Sequence, residues 1–391
     1  MKKLSEVCTI IAGQSPESKY YNTNGEGIPF FQGKADFGEL YPTVRVYCSK
    51  PTKIAEKNDI LLSVRAPVGP TNLAPCKVCI GRGLTAIRPD ETLDLKYLLF
   101  FFRFFEAQLQ QKGTGTTFKA ITQDVIKNLE IPVPPLEDQH RIVTRIEELF
   151  SQLDSGVETL KKTKEQLKVY RQAVLKEAFE SASSSNSKNL TINDLLTKKK
   201  KGMTTGPFGT MLKKHEHQSS GVPVLGIENI GKDGFVDGNK IFVSEEKAKE
   251  LSAFKVDTDD LIISRSGTVG EICIVPPHMK NALLSTNLMR ISLDFDVIRA
   301  DYFMYLFKSK GVVIDQVKEL CKGSTRMFLN QTILKQIIFP VPTLKIQAKI
   351  IETIESRLSV CDSIEKTIDT ALQEAEALRQ SILKQAFEGG L

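Results

Sequence analysis

The residue groups able to do chemistry are few, and each falls short of a site. Gly226-Ile-Glu-Asn-Ile-Gly231-Lys232 has the spacing of a loop that cradles phosphates, but Asp233 follows where a magnesium-binding Ser or Thr is required. Glu228 would also put a carboxylate among the phosphates, so a turn between strands is the simpler reading. His215-Glu-His217 offers two metal ligands on one strand with no third His or Cys nearby. Cys76 and Cys79 have zinc-like spacing, yet a zinc ribbon needs a second pair, and strand cysteines are the default. Asp90 and Asp94 lie too close in sequence to come from separate strands, as the carboxylates of a metal-dependent nuclease would. His140 and His278 are isolated, and neither a nucleophile elbow nor an Asn-Pro-Pro-aromatic stretch is present. The expectation is a chain with no catalytic residue, no metal and no cofactor of its own.

The elements that would position any site come in two copies. At a fixed offset of 208 residues, Ile131-Pro-Val-Pro-Pro-Leu136 returns as Phe339-Pro-Val-Pro-Thr-Leu344, and Gln139 returns as Gln347. Arg171-Gln-Ala-Val-Leu-Lys-Glu-Ala-Phe-Glu180 returns as Arg379-Gln-Ser-Ile-Leu-Lys-Gln-Ala-Phe-Glu388. Upstream the copies diverge and the offset shrinks, so each half is a variable globular part followed by a closely repeated tail.

Each tail reads as one long helix. Pro132, Pro134 and Pro135 exclude helix just before it, Glu137 and Asp138 suit the positive end of the helix dipole, and no proline interrupts residues 138 to 180. Alternating steps of four and three predict a pairing seam of Ile142, Ile146, Leu149, Leu153, Leu160, Leu167, Tyr170 and Val174. In the second copy it comprises Ile350, Ile354, Ile364, Ile368, Ala371, Ala375, Leu378 and Ile382. One seam is bulky and the other slim, which keeps interhelix volume roughly constant if the two helices pack on each other. Antiparallel pairing would give a pseudo-two-fold repeat, with a rod of roughly 60 Å holding the globular parts apart; separate amphipathic arms are the alternative.

The domain reading is therefore 1–136 and 189–343 as globular domains, 137–180 and 344–391 as long helices, and 181–188 as a Ser-rich linker. Short apolar runs such as Ile60–Val64, Leu261–Ser264 and Ile272–Val275 read as strands, and Leu93–Lys112 and Arg299–Cys321 as helices. The fold class is α+β.

The net charge of +6 is small until it is divided. Residues 1–136 and 189–343 each carry +4, the first helix with its linker is neutral, and the last helix carries −2. Two basic modules joined by a neutral rod suit a duplex read at two places. The densest apolar run, Tyr97–Phe105, holds nine residues and contains Arg103, far short of a membrane span. With no apolar leader after Met1 and seven scattered cysteines, a reducing, cytoplasmic setting is expected.

The duplicated Pro-Val-Pro tails, the RQAVLKEAFE and RQSILKQAFEGGL helix ends, and the segments Asp59–Ser63 and Asp260–Gly267 together resemble the specificity subunit of type I restriction-modification enzymes. The resemblance covers essentially the whole chain. It implies two target recognition domains, each reading one half of a split, asymmetric site in double-stranded DNA. It implies that two long antiparallel helices separate them and dock two DNA-adenine methyltransferase (modification) subunits. S-adenosylmethionine, ATP and magnesium would then belong to those subunits and to the restriction and translocation subunits. The globular halves would differ because they read different bases, whereas both helices must fit the same partner.

DNA-contacting residues are expected on Gly-bounded loops, where backbone can approach a duplex. In the first domain these are Gln32, Lys34, Arg65, Thr116, Thr117 and Lys119; in the second, Asn229, Lys232, Arg265, Ser266, Thr268, Ser324, Thr325 and Arg326. The competing interpretation is a coiled-coil scaffold whose two domains bind protein rather than nucleic acid.

Overall fold

The computed structural model describes residues 1–113, 120–183, 187–208, 211–232, 234–265, 270–320 and 329–390. The chain divides into two compact units, Met1–Lys161 with Asp369–Leu391, and Lys162–Ile368. Both boundaries fall inside the long helices, Leu136–Ser183 and Leu344–Glu388. Each unit therefore contains a globular part, the start of the helix that follows it, and the end of the helix belonging to the other half of the sequence.

In the first unit an antiparallel sheet has the order Cys8–Ala12, Leu84–Pro89, Ile60–Ser63, Thr71–Leu73. Its alternating residues serve two cores, as a period of two dictates. Ile60, Leu62 and Ile87 face the helical side with Leu98, Phe102 and Ile146. Leu61 and Ala86 face Phe31, Val78 and Ile80 of a second sheet, in which Ile28–Phe31 runs parallel to Val78–Ile80.

The second unit repeats this plan. Met203–Thr205, Leu288–Ile291, Leu261–Ser264 and Ile272–Ile274 form the antiparallel sheet in the same order. Val222–Leu225 runs parallel to Leu283–Leu284 beside it. The sequence-predicted helix over Arg299–Cys321 is broken into Ala300–Lys308 and Ile314–Leu320. Ser309 turns extended (ψ 125°) and ends the first piece, and Gly311, at φ +91°, lies in the turn that leads to the second. Its counterpart Leu95–Lys112 is continuous.

Within each unit the two helical segments run antiparallel. Asp154 pairs with Arg379 in the first unit. In the second, Glu177 pairs with Arg357, and Arg171 with Asp362 and Glu365. The bulky and slim seams meet as size complementarity requires, with Leu153 and Leu160 across a groove from Ala371 and Ala375.

One of the two seam stripes needs correction. Ile146, Leu167, Val174, Ile354, Ile368, Ala375 and Ile382 are buried, and Ile142, Leu149, Leu153, Leu160, Ile350 and Ala371 half-buried. Tyr170, Ile364 and Leu378 are 49%, 40% and 50% exposed. The stripe they were expected to share lies one residue later, at Phe150 and Arg171, and at Leu358, Glu365 and Arg379. Three of those five are charged, so an apolar count passes over them. Their long stems are covered while their heads pair with opposite charges.

Candidate nucleic-acid interface

In the first unit four loops, around residues 14, 32, 65 and 82, are tied together at one end of the sheets. The Gly81 amide donates to the Phe31 carbonyl at 2.8 Å, and the Val64 amide to the Gly83 carbonyl at 3.0 Å. The Gln14 amide reaches the Ile80 carbonyl at 3.0 Å, and the Arg82 amide reaches Ser15 Oγ at 3.3 Å. Arg65 bridges to Ala120 across an isolated β-pair. Gly83 is required here because a Cβ would collide with the Gln32 carbonyl oxygen. Gln32, Lys34 and Arg65, all expected from the sequence, are exposed on these loops together with Gln14 and Arg82. Arg65, Arg82 and Lys34 form no ion pair among the described residues. Guanidinium, ammonium and amide groups held this way can reach phosphate oxygens and base edges. Sequence reasoning passed over Gln14 and Arg82. The Gly-Arg-Gly bracket around Arg82 was the signal available.

The corresponding hydrogen bonds in the second unit fix which residues are equivalent. Ser285 donates to the Leu225 carbonyl, Arg265 to that of Asn287, and Leu329 to that of Arg265. Arg265 therefore occupies the place of Val64, not of Arg65, because the strands Ile60–Ser63 and Leu261–Ser264 end in the same register. The side chain is buried, and its guanidinium donates to the Leu329 carbonyl at 3.4 Å and the Thr286 carbonyl at 3.2 Å. Burial pulls its pKa down. Arg265 braces the loop instead of standing free to meet a duplex.

Two more expected contacts are also occupied. Asn229 is fully buried; its Oδ1 accepts from the Gly226 amide at 2.8 Å and its Nδ2 donates to the Val236 carbonyl at 2.9 Å. It staples the turn that the sequence showed as a phosphate-loop look-alike. Lys232 is exposed, but its Nζ lies 3.2 Å from Glu365 Oε2 on the long helix. Although burial pushes the Glu365 carboxyl up, Lys232 and Arg171 outweigh it and hold the group below the usual carboxylate range. Lys232 is thus a tie between domain and helix. Thr116, Thr117, Lys119, Ser266, Thr268, Ser324, Thr325 and Arg326 lie outside the described residues.

What orients each globular part on its helix is a buried glutamine. Gln139 accepts from the Asp94 amide at 2.8 Å and donates to the carbonyls of Thr92 and Pro134 at 2.9 and 2.8 Å. Gln347 makes the same three bonds to Arg299, Val297 and Pro342. The Tyr97 hydroxyl donates to the Pro132 carbonyl, and that of Tyr302 to the Pro340 carbonyl. Against Tyr97 packs Phe387, and against Tyr302 packs Phe179, each from the far end of a long helix. The cysteines Cys8 and Cys273 have thiols pushed up to about 12 by burial, which removes thiolate chemistry near neutral pH.

A family model described as the type I restriction modification DNA specificity domain matches residues 1–169 and 185–374. A putative type I restriction enzyme MjaX specificity subunit of Methanocaldococcus jannaschii is 42% identical over 167 residues, 42% of this chain and 38% of that one. The type I restriction enzyme EcoBI specificity subunit of Escherichia coli is 26% identical over 317 residues, covering 75% of this chain and 65% of the relative. The chain thus spans less than two thirds of the length of either. A crystal structure of the HsdS subunit from Thermoanaerobacter tengcongensis matches at 50% identity with a TM-score of 0.36, covering 39% of this chain and 37% of that chain.

Proposed function

The chain belongs to the type I restriction modification DNA specificity domain family, and from that premise we propose that it is the non-catalytic DNA-recognition subunit of a type I restriction-modification complex. In this reading residues 1–136 and 189–343 are the two target recognition domains, each contacting one half of a bipartite, asymmetric site. The helices 137–180 and 344–391 dock two DNA-adenine methyltransferase subunits and set the spacing between half-sites, with 181–188 as linker. S-adenosylmethionine, ATP and magnesium act in the partner subunits, in the cytoplasm.

The observation that carries the proposal is one loop edge built twice with different side chains. Exposed Gln32 and Arg82 stand in the first unit where Gly226 and Thr286 stand in the second. A scaffold held in common with readers that differ is what two unlike half-sites demand. Beside the second edge Phe208 is 68% exposed, two residues after Gly206, whose amide binds the Leu288 carbonyl; such a ring can stack on bases or sugars. The groove of Leu153, Leu160, Ala371 and Ala375 offers the apolar surface for a docked methyltransferase helix.

The test is co-expression with the methyltransferase subunit and mapping of methylated adenines across the host genome. A two-part motif is expected, with one half lost when residues 189–343 are removed. No motif, or one unchanged by that deletion, refutes the reading. Duplex affinity should also fall steeply with salt as phosphate contacts release counterions, whereas a protein-binding scaffold would show no duplex binding at any salt.

A further inference from the structure

The loop edge of the second unit carries a carboxylate that a basic, phosphate-binding surface does not explain. The Ser285 amide donates to the Leu225 carbonyl as the Gly81 amide donates to that of Phe31, so Gly226 stands where Gln32 stands. Gly226 has no side chain, and its place is filled from two residues further on. A Cβ on Gly226 would collide with both carboxylate oxygens of Glu228, which therefore occupy the space where the Gln32 side chain begins in the first unit. Of residues 226–230, Glu228 alone is exposed. It forms no ion pair among the described residues. Its backbone is pinned on both sides: the Asn229 amide donates to the Gly226 carbonyl at 3.1 Å, the Ile230 amide donates to that of Ile227 at 3.0 Å, and Asn229 and Ile230 are buried.

Phosphates repel a carboxylate, so on a loop that meets a duplex it weakens binding unless a base donates to it. Ionised, it only accepts hydrogen bonds. In the major groove cytosine presents an amino donor and no acceptor of its own. Guanine and thymine present acceptors, and adenine sets the N7 acceptor beside its amino group. The Gln32 amide both donates and accepts, so one place on the common scaffold suits different bases in the two units.

We propose that Glu228 is a specificity-determining residue of the second recognition domain, its carboxylate accepting a hydrogen bond from the N4 amino group of a cytosine. This rests on the DNA reading above. Gly226 is the positioning residue. Its φ of −113° and ψ of −178° are extended values open to any residue. What a side chain there would displace is the flexible carboxylate of Glu228.

Methylated adenines are mapped in cells that co-express the methyltransferase subunit with the full chain, as wild type, Glu228→Gln or Gly226→Ala. In the half-site lost on removal of residues 189–343, Glu228→Gln should relax one cytosine position by roughly tenfold or more, with adenine gaining most because an amide matches its N6 and N7. Gly226→Ala, which keeps the carboxylate but moves it, should relax the same position by a smaller factor. The other half-site should be unchanged in both variants. Affinity of the full chain for a duplex without the motif should not fall, since no positive charge is lost. A motif unchanged by Glu228→Gln overturns the proposal, as does relaxation at a position that is not cytosine in the wild type. Loss of methylation at every site also overturns it, by marking Glu228 as structural. If Gly226→Ala relaxes a different position, the positioning role is wrong. A wild-type complex with no two-part motif overturns the DNA reading and this proposal with it, a result distinct from each of the others.

Discussion

Replacing Gln139 with Ala tests whether the buried glutamine fixes the first globular part on its helix. The side chain is fully buried and makes three hydrogen bonds, to the Asp94 amide and to the Thr92 and Pro134 carbonyls. Truncation loses all three, each worth about 1 kcal/mol net, and leaves one donor and two acceptors without their partner. Water entering the space left behind would recover part of that cost, so a local loss of about 3 kcal/mol is expected. Amide hydrogen exchange read by mass spectrometry reports it directly. At about 1.4 kcal/mol per tenfold, peptides covering residues 92–98 and 134–139 should exchange roughly 100-fold faster. Peptides covering 297–302 and 342–347 should not change, because the Gln347 bonds are intact. Gln347→Ala should give the mirror result. An acceleration below about threefold, or one of equal size in both units, would refute the reasoning.

The remaining expectations concern other parts of the two units. Gly83→Ala would drive a Cβ into the Gln32 carbonyl oxygen and displace the loop carrying Arg82, so the first half-site should be methylated more slowly while the second unit's thermal unfolding stays unchanged. Glu365 titrates below its ordinary range in the fold because Lys232 and Arg171 outweigh burial. Its stabilisation is therefore present above the usual glutamate pKa of about 4.3 and lost as pH falls through the lowered folded value. Glu365→Gln should cost about 1 kcal/mol in urea unfolding at pH 7, and that gap should close in acid; a gap that widened there would contradict the assignment. Phe179→Ala removes a fully buried ring stacked edge-on against Tyr302 at 5.4 Å and should cost about 3–5 kcal/mol. Tyr170→Ser, at a position of apolar seam spacing but exposed, should change stability by less than about 0.5 kcal/mol in the same assay.

Much of this molecule is legible in the sequence because its strongest signals are periodic. The 208-residue offset exposes the duplication, proline placement locates the helix starts, and charge division shows where the basic excess lies. Short apolar runs bounded by turn residues give the central strands, since strands buried on both faces need apolar residues at successive positions. The pairing of Gln139 with Gln347 is visible as repeated letters, but not their common task, because the bonds reach residues 45 and 47 positions upstream in one copy and 48 and 50 in the other.

By itself the sequence determined the family, the two-copy plan and the loops on which DNA contacts should be sought. Tertiary structure alone decided which loop residues are free to make them. Arg265 and Asn229 look like readers by type and flanking residues, yet carbonyls 64 and 21 positions along the chain claim the Arg265 side chain, and the folded turn around Asn229 claims its amide. The seam shows the same limit: Arg171 and Glu365 count as surface residues in any apolar pattern, and only the facing helix supplies the charges that let them lie inside it. Residue type and spacing are properties of a segment, whereas burial and the satisfaction of polar groups depend on which distant segments arrive beside it.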